Sequence, residues 1–206
     1  MLDAGLFRKL GLFVDTDFLD VDACARIAAE TRVAASTRGI VVGSPEVRDK
    51  GGAVDITLRK VWDAEMSAST TSEISARLEN LRPTLERHFK VCLSECEGPR
   101  FLRYEEGGFH LPHRDSRPTS PPDIRRRAVS VVIFLNRYVQ DPVTDGFGGG
   151  ELCLYGLIDD PKWEKYGFPI KATPGLLVAY RSGQKHEIKP VKFGQRLTIV
   201  AWFLGP

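Results

Sequence analysis

The sequence predicts an α+β fold in which helices and a few early strands precede a β unit of sandwich, jelly-roll or barrel type. Two changes of pattern carry that expectation. In the first half, Ile74, Leu78, Leu81, Leu85, Phe89 and Leu93 recur at spacings of three and four, the period of one helix face. After Gly98-Pro99, short β-rich runs alternate with Gly and Pro punctuation up to the C-terminus, the texture of layered or closed β folds. A third observation bounds the size. With 206 residues, 42% of them hydrophobic and 27% charged, the chain suits one domain with its own core and no disulfide staples. The expected division is a single domain over 1–206, with 1–98 as helical support and early strands and 99–206 as the β core.

Each element has a local reason. Asp20 is placed to cap a helix from Val21 to about Ala35, rich in Ala, with Ile27 and Val33 taken to lie on one side. Ile40-Val41-Val42, between Gly39 and Gly43, reads as a short β-branched strand, and Val54 to Trp62 as a second. The long stripe predicts a helix from Ser69 to Ser94, bent or interrupted at Pro83, which lacks the backbone N–H. The later strands are expected at Arg100–Glu105, His110–Asp115, Ala128–Asn136, Glu151–Tyr155, Leu176–Tyr180, His186–Val191 and Arg196–Leu204. Two stretches read as long loops of the kind that cover binding sites: Pro-rich 116–127, ending in Arg125-Arg126-Arg127, and 157–173. Leu6, Leu10, Leu12 and Phe13 are expected to pack on the core.

Charge and composition exclude several classes. Lys plus Arg total 29 against 27 Asp plus Glu, so no global field draws the chain to nucleic acid or to an anionic membrane. The longest apolar runs, such as Val129–Leu135, fall far short of the roughly 18 residues of a membrane span. Cys24, Cys92, Cys96 and Cys153 form no CxxC pair and no zinc-finger spacing, which reads as free thiols in a reducing compartment. Charged residues near the N-terminus interrupt any secretory signal, so the expected location is cytoplasmic.

Chemistry concentrates in a few residues. Of four histidines, His88 falls inside the long helix and reads as a packing or surface side chain. His113 and Asp115 form His-x-Asp; on an extended segment both point to one face. A histidine from a neighbouring strand, such as His186, would complete two His and one carboxylate, the set that leaves open positions on a non-haem iron. Ten residues after His186 comes Arg196, sharing a strand face with Thr198 while Leu197, Ile199, Ala201 and Phe203 take the other. An arginine pointing into a β core is costly unless an anion meets it, and a guanidinium fork suits a carboxylate.

In this order the pieces resemble a known family. Leu102-Arg103-Tyr104, Gly107 to His113, His113-Arg114-Asp115, Ala128 to Asn136, Gly149-Gly150-Glu151-Leu152, Pro174-Gly175 and His186 to Arg196 resemble the iron(II)- and 2-oxoglutarate-dependent dioxygenases, in the prolyl 4-hydroxylase-like branch. More loosely, Arg59-Lys60-Val61-Trp62 looks like the family's early strand. The resemblance implies a double-stranded β-helix (jelly-roll or cupin-like) core with the N-terminal helices packed outside. It implies Fe(II) on His113, Asp115 and His186, with 2-oxoglutarate and O2 as co-substrates and ascorbate as a reductant. It places the distal carboxylate of 2-oxoglutarate on Arg196, with Tyr104 and Thr198 alongside. Asn136 receives no role from it, and Gly149 and Gly150 are expected to form a turn or bulge that lets backbone approach the pocket. The implied reaction hydroxylates an unactivated C–H bond and releases succinate and CO2.

The substrate is the least determined part. A small-molecule or peptidyl substrate fits, and Arg114, Arg117, Arg125 and Arg127 would attract a carboxylate or an acidic peptide. Trp163, with Tyr166 and Phe168, would add an aromatic wall. Competing readings are a metal-binding cupin-like scaffold without turnover, a nucleic-acid dealkylating dioxygenase, which the near-neutral charge disfavours, and a zinc hydrolase, which has no use for Arg196. Oligomeric state is open.

Overall fold

In the computed structural model, residues 4–41 and 53–206 are described. The N-terminal part runs α1 (Ala4–Lys9), β1 (Phe13–Asp15), α2 (Val21–Val33), β2 (Ser36–Arg38), β3 (Arg59–Lys60), β4 (Trp62–Ala64) and α3 (Ala68–Phe89). Asp20 caps α2 as the sequence predicts, its carboxylate accepting from the Ala23 N–H at 2.7 Å. Ile27 is fully buried, but Val33 is 85% exposed. Six residues at about 100° each carry Val33 off the Ile27 face. Helix α3 is capped by Ser67 and ends where Lys90 turns left-handed at φ 52°, four residues before the expected Ser94. Pro83 does not interrupt it. One lost hydrogen bond is outweighed by the stripe Ile74, Leu78, Leu85 and Phe89, all buried against the sheet.

The early strands differ from expectation. The pairing strand is Ser36–Arg38, and of the stretch expected at 39–43, Val41 makes only an isolated bridge to Ala53, while residues 42 and 43 lie outside the described residues. Val54–Trp62 is not one strand. The Asp55 carboxylate accepts from the N–H and hydroxyl of Thr57 and closes a turn, so β3 starts only at Arg59.

The C-terminal part supplies β5 (Cys96–Tyr104), β6 (Phe109–His113), α4 (Pro122–Arg125), β7 (Arg127–Phe134), β8 (Arg137–Tyr138), β9 (Gly146–Gly149), β10 (Leu152–Tyr155), β11 (Gly167–Ile170), β12 (Leu177–Arg181), β13 (His186–Ile188), β14 (Val191–Gly194) and β15 (Arg196–Leu204). The expected strand His186–Val191 is split at Pro190, which has no N–H for a ladder. The expected loop 116–127 contains the short α4, and the expected loop 157–173 contains β11.

Two main sheets form the core. A seven-stranded sheet has the order β1-β12-β7-β15-β5-β4-β2, and a five-stranded sheet the order β11-β10-β13-β6-β3. A third sheet, β14-β9-β8, completes the β unit. The antiparallel layers are those of a double-stranded β-helix with α2 and α3 on one side. The large sheet is buried on both faces. Val131, Ile133, Leu197, Ile199, Ala201 and Phe203 meet α2 and α3, while Val132, Phe134, Leu102 and Val178 face the five-stranded sheet. That two-sided burial explains the apolar run Val131–Phe134 of β7. Leu12 and Phe7 are buried as part of the second cluster, with Leu10 packed against it, whereas Leu6 is 44% exposed. His88 packs edge-on between Phe13 and Phe89.

Candidate metal centre and its cavity

The two main sheets enclose a cavity of about 1020 Å³. His113 ends β6 and His186 begins β13, and these strands pair antiparallel with His113 opposite His186. Directly paired residues share a face, so the imidazoles meet, with ring centroids 4.2 Å apart. Asp115 lies beyond the end of β6, in a bend. A turn of the chain, rather than the strand pleat the sequence suggested, brings its carboxylate back. The ligand atoms of His113, Asp115 and His186 all lie within 4.8 Å of one another.

The backbone presets both imidazoles. His113 Nδ1 lies 2.8 Å from the Leu111 carbonyl and His186 Nδ1 2.9 Å from that of Gln184. A carbonyl can only accept, so each Nδ1 carries the proton and each Nε2 lone pair is free. The free Nε2 atoms each sit 3.6 Å from an Asp115 oxygen, too far for a hydrogen bond. Burial opposes charge on Asp115, but His186 and His113 and a hydrogen bond from Ser130 reverse that and hold the carboxyl well below its usual range. Burial, reinforced by His113, lowers His186 to about 4. A carboxylate and two imidazole Nε2 atoms turned to one point are the donor set a divalent metal takes, so these residues fit the iron that the sequence implies.

Sequence reasoning passed over the support around this set. The Ser130 hydroxyl donates to Asp115 Oδ2 at 2.7 Å and lies 2.9 Å from the Ser182 hydroxyl. A serine in the otherwise apolar run Val129–Leu135 was the available signal. His110 stacks on His113 at 3.5 Å between centroids, and burial, with the charges of His113 and Arg59, holds it neutral. Tyr180 lines the cavity with its ring 4.9 Å from that of His186, and burial raises its hydroxyl pKa well above the ordinary value.

Arg196 is 1% exposed and lines the same cavity. Its Nη1 donates to Thr198 Oγ1 at 3.1 Å, whereas Nε and Nη2 are buried without a partner. The guanidinium carbon lies 5.1 Å from the Tyr104 ring and 5.2 Å from the Phe134 ring. Burial pulls its pKa down to about 10. An arginine with an open Nε–Nη2 edge in an aromatic box is built to meet a carboxylate. Asn136 acquires a positioning part: it accepts from the Leu197 N–H and donates to the Gln195 carbonyl, gripping the chain on both sides of Arg196. Gly150, at φ 64°, lies under the Arg196 stem, where a Cβ would approach its Cδ to 3.2 Å.

Of the residues predicted to face substrate, Arg114, Arg117 and Arg127 line the cavity. Arg127 is already paired with Glu97 and stacked 3.9 Å over Trp202. Arg125 is not among the lining residues, and Trp163 stands half exposed against Tyr166, away from the cavity wall. Tyr166 is 68% exposed, and Phe168 packs inward on Phe7 rather than forming a wall with them. Among the described residues, no helix is long and apolar enough to cross a membrane.

Comparison with known proteins agrees with this geometry. The family model of the 2OG-Fe(II) oxygenase superfamily matches residues 99–204. A PKHD-type hydroxylase of Crocosphaera subtropica is 31% identical over 167 residues, covering 76% of this chain and 69% of the relative. A PKHD-type hydroxylase of Alteromonas mediterranea is 29% identical over 107 residues, or 50% of this chain and 42% of the relative. The chain thus spans less than half of the latter's length. Among solved structures, a prolyl-4-hydroxylase of Pseudomonas putida superposes with a TM-score of 0.66 at 24% identity, covering 94% of this chain and 92% of that one. A prolyl hydroxylase from Trichoplax adhaerens, in complex with a hypoxia inducible factor peptide fragment, gives 0.69 at 18% identity, covering 98% and 86%. The matched segment carries every residue of the His113–Asp115–His186 set and Arg196, and the chain belongs to the 2OG-Fe(II) oxygenase superfamily, with a prolyl 4-hydroxylase-like fold.

Proposed function

We propose that this protein is an Fe(II)- and 2-oxoglutarate-dependent oxygenase that hydroxylates an unactivated C–H bond of a prolyl, peptidyl or amino-acid-like substrate. The observation that carries the reading is the meeting, in one cavity, of the His113–Asp115–His186 set with the orphaned guanidinium of Arg196. The hydroxylase names of the relatives, and the peptide held by the Trichoplax structure, support a peptidyl or amino-acid-like substrate. The chain acts as one domain, with 99–206 holding the chemistry and 1–98 supporting it.

Bound Fe(II) supplies the activation of O2, coupled to oxidative decarboxylation of 2-oxoglutarate to succinate and CO2. The chain contributes position and shielding. His113 Nε2, His186 Nε2 and an Asp115 oxygen would hold the metal. Ser130 keeps the carboxylate turned toward the imidazoles. Arg196 takes the distal carboxylate of 2-oxoglutarate, with Thr198 fixing one guanidinium nitrogen and Tyr104 flanking it. The apolar lining around Leu102, Val132, Leu152 and Ile188 keeps water from the reacting centre.

Anaerobic titration of the Fe(II)-loaded protein with 2-oxoglutarate tests the reading. A weak charge-transfer absorption band is expected, and much weaker 2-oxoglutarate binding in Arg196→Ala. No band from a loaded site would overturn it and favour a metal-binding scaffold.

A further inference from the structure

We propose that Arg59 is a second anion anchor in this cavity, and that the primary substrate presents a carboxylate to it. The inference rests on the reading of Arg196 as the 2-oxoglutarate clamp. Arg59 lines the cavity and is only 8% exposed. On β3 it pairs with His110, and His110 stacks on the ligand histidine His113, so the arginine stands one ring away from the metal set. Its Nη1 donates to the Ile40 carbonyl at 2.9 Å. Its Nε is buried without a partner, and no carboxylate among the described residues pairs with it.

Two neighbouring arginines show what is missing. Arg100 places its Nε and Nη2 on the Asp63 carboxylate, and Arg127 places the same two nitrogens on Glu97. Both line this cavity, and both are charge-balanced. Arg196 keeps that edge open, and Arg59 keeps its buried Nε open. With Arg196 read as the 2-oxoglutarate clamp, Arg59 is left as a buried cation without a counterion among the described residues, a costly arrangement unless a ligand completes it. The surroundings make room for it: at Gly39 a Cβ would stand 3.3 Å from the Arg59 Cζ and Nε, and 2.4 Å from Val61 Cγ1. An open guanidinium N–H in this setting suits a planar carboxylate, as on a free amino acid or an acidic peptide.

Saturation-transfer NMR with benzoate and its neutral isostere benzamide tests this. The protein is loaded with Zn(II), which supports no turnover, and saturated with 2-oxoglutarate. Wild type is expected to prefer benzoate by about 10-fold, the worth of a charge-assisted hydrogen-bonded pair. Arg59→Gln should lose that preference while still binding 2-oxoglutarate, and Arg59→Lys should keep part of it. Equal binding of the two probes by wild type, or an unchanged preference in Arg59→Gln, overturns the inference and leaves the oxygenase reading intact. Loss of 2-oxoglutarate binding by a folded Arg59→Gln also overturns it, because Arg59 would then be the clamp. Wild type that fails to bind 2-oxoglutarate at all counts against the oxygenase reading instead. Should Arg59→Gln not fold, the wild-type benzoate preference and its reduction in Arg59→Lys decide the matter.

Discussion

The two faces of the seven-stranded sheet are equally buried and do opposite things. On strands β7 and β15 the helix-side residues are Val131, Ile133, Leu197, Ile199, Ala201 and Phe203, an apolar set without a polar atom in its side chains. One residue away along the same strands, the cavity side carries Ser130, Arg196 and Thr198, none more than 1% exposed. Burial alone therefore does not separate core from site. On the polar side Ser130 and Thr198 have side-chain partners while Arg196 keeps Nε and Nη2 unpaired, and the pleat keeps the two sets from mixing.

Substitutions that exchange the behaviour of the two faces would break this comparison. The largest effect is expected at the metal ligands. His186→Ala should abolish measurable Fe(II) binding, a loss beyond the roughly 10–100-fold that supporting residues contribute, as followed by isothermal titration under anaerobic conditions. Arg196→Leu and Ile133→Ala should move in opposite directions. Ile133→Ala removes packed methyl groups and should destabilise by about 2–5 kcal/mol in urea unfolding, with 2-oxoglutarate affinity of the folded protein unchanged. Arg196→Leu should weaken 2-oxoglutarate binding by about 100-fold yet leave the melting temperature of the ligand-free protein unchanged or raised, since it removes an unpaired buried charge. A melting temperature lowered as much as in Ile133→Ala would mean that Arg196 is structural. On the same strand as Ile133, Ser130→Ala should cost roughly 10-fold in metal affinity and little in stability.

Acid should act on the cavity side first. His186 sits near 4 in the folded protein against about 6.5 in the unfolded chain. Between those values the unfolded chain binds the proton and the folded one does not, so stability of the metal-free protein should fall as pH drops from 6.5 toward 4. The lowered Asp115 carboxyl extends that loss below the ordinary carboxylate pKa. Melting temperatures of the chelator-treated protein against pH would show the slope, and His186→Phe should flatten its upper part. The smallest effect is expected at Trp163, where replacement by Ala on an exposed loop should stay within about 0.5 kcal/mol and leave 2-oxoglutarate binding untouched.

Much of this site was legible because its residues lie on strands whose alternation is strict. Arg196 and Thr198 could be assigned to the face opposite Leu197 and Ile199 from order alone, and β15 has the predicted bounds Arg196–Leu204. His113 and His186 stood out as candidate ligands through the order of motifs that resembles the family. The glycine-rich β9 was not readable as a strand, since Gly146, Gly148 and Gly149 give no propensity and owe their pairing to β14 and β8. Nor was the split of Val54–Trp62, where a side-chain turn at Asp55 overrides β-branched residues.

By itself, then, the sequence determined the α+β class, the helix stripe and the two faces of β15, because these depend on periodicity and spacing along one segment, while the candidate metal set came from the resemblance to a family. Only the tertiary structure decided which groups lack a partner. Arg59 and Arg100 look alike in sequence, and both line the cavity. Asp63, reached through the β4–β5 pairing, neutralises Arg100, while the Nε of Arg59 has no partner among the described residues. Whether a charge is satisfied depends on atoms brought together across strands, and spacing along a single chain segment does not specify those contacts.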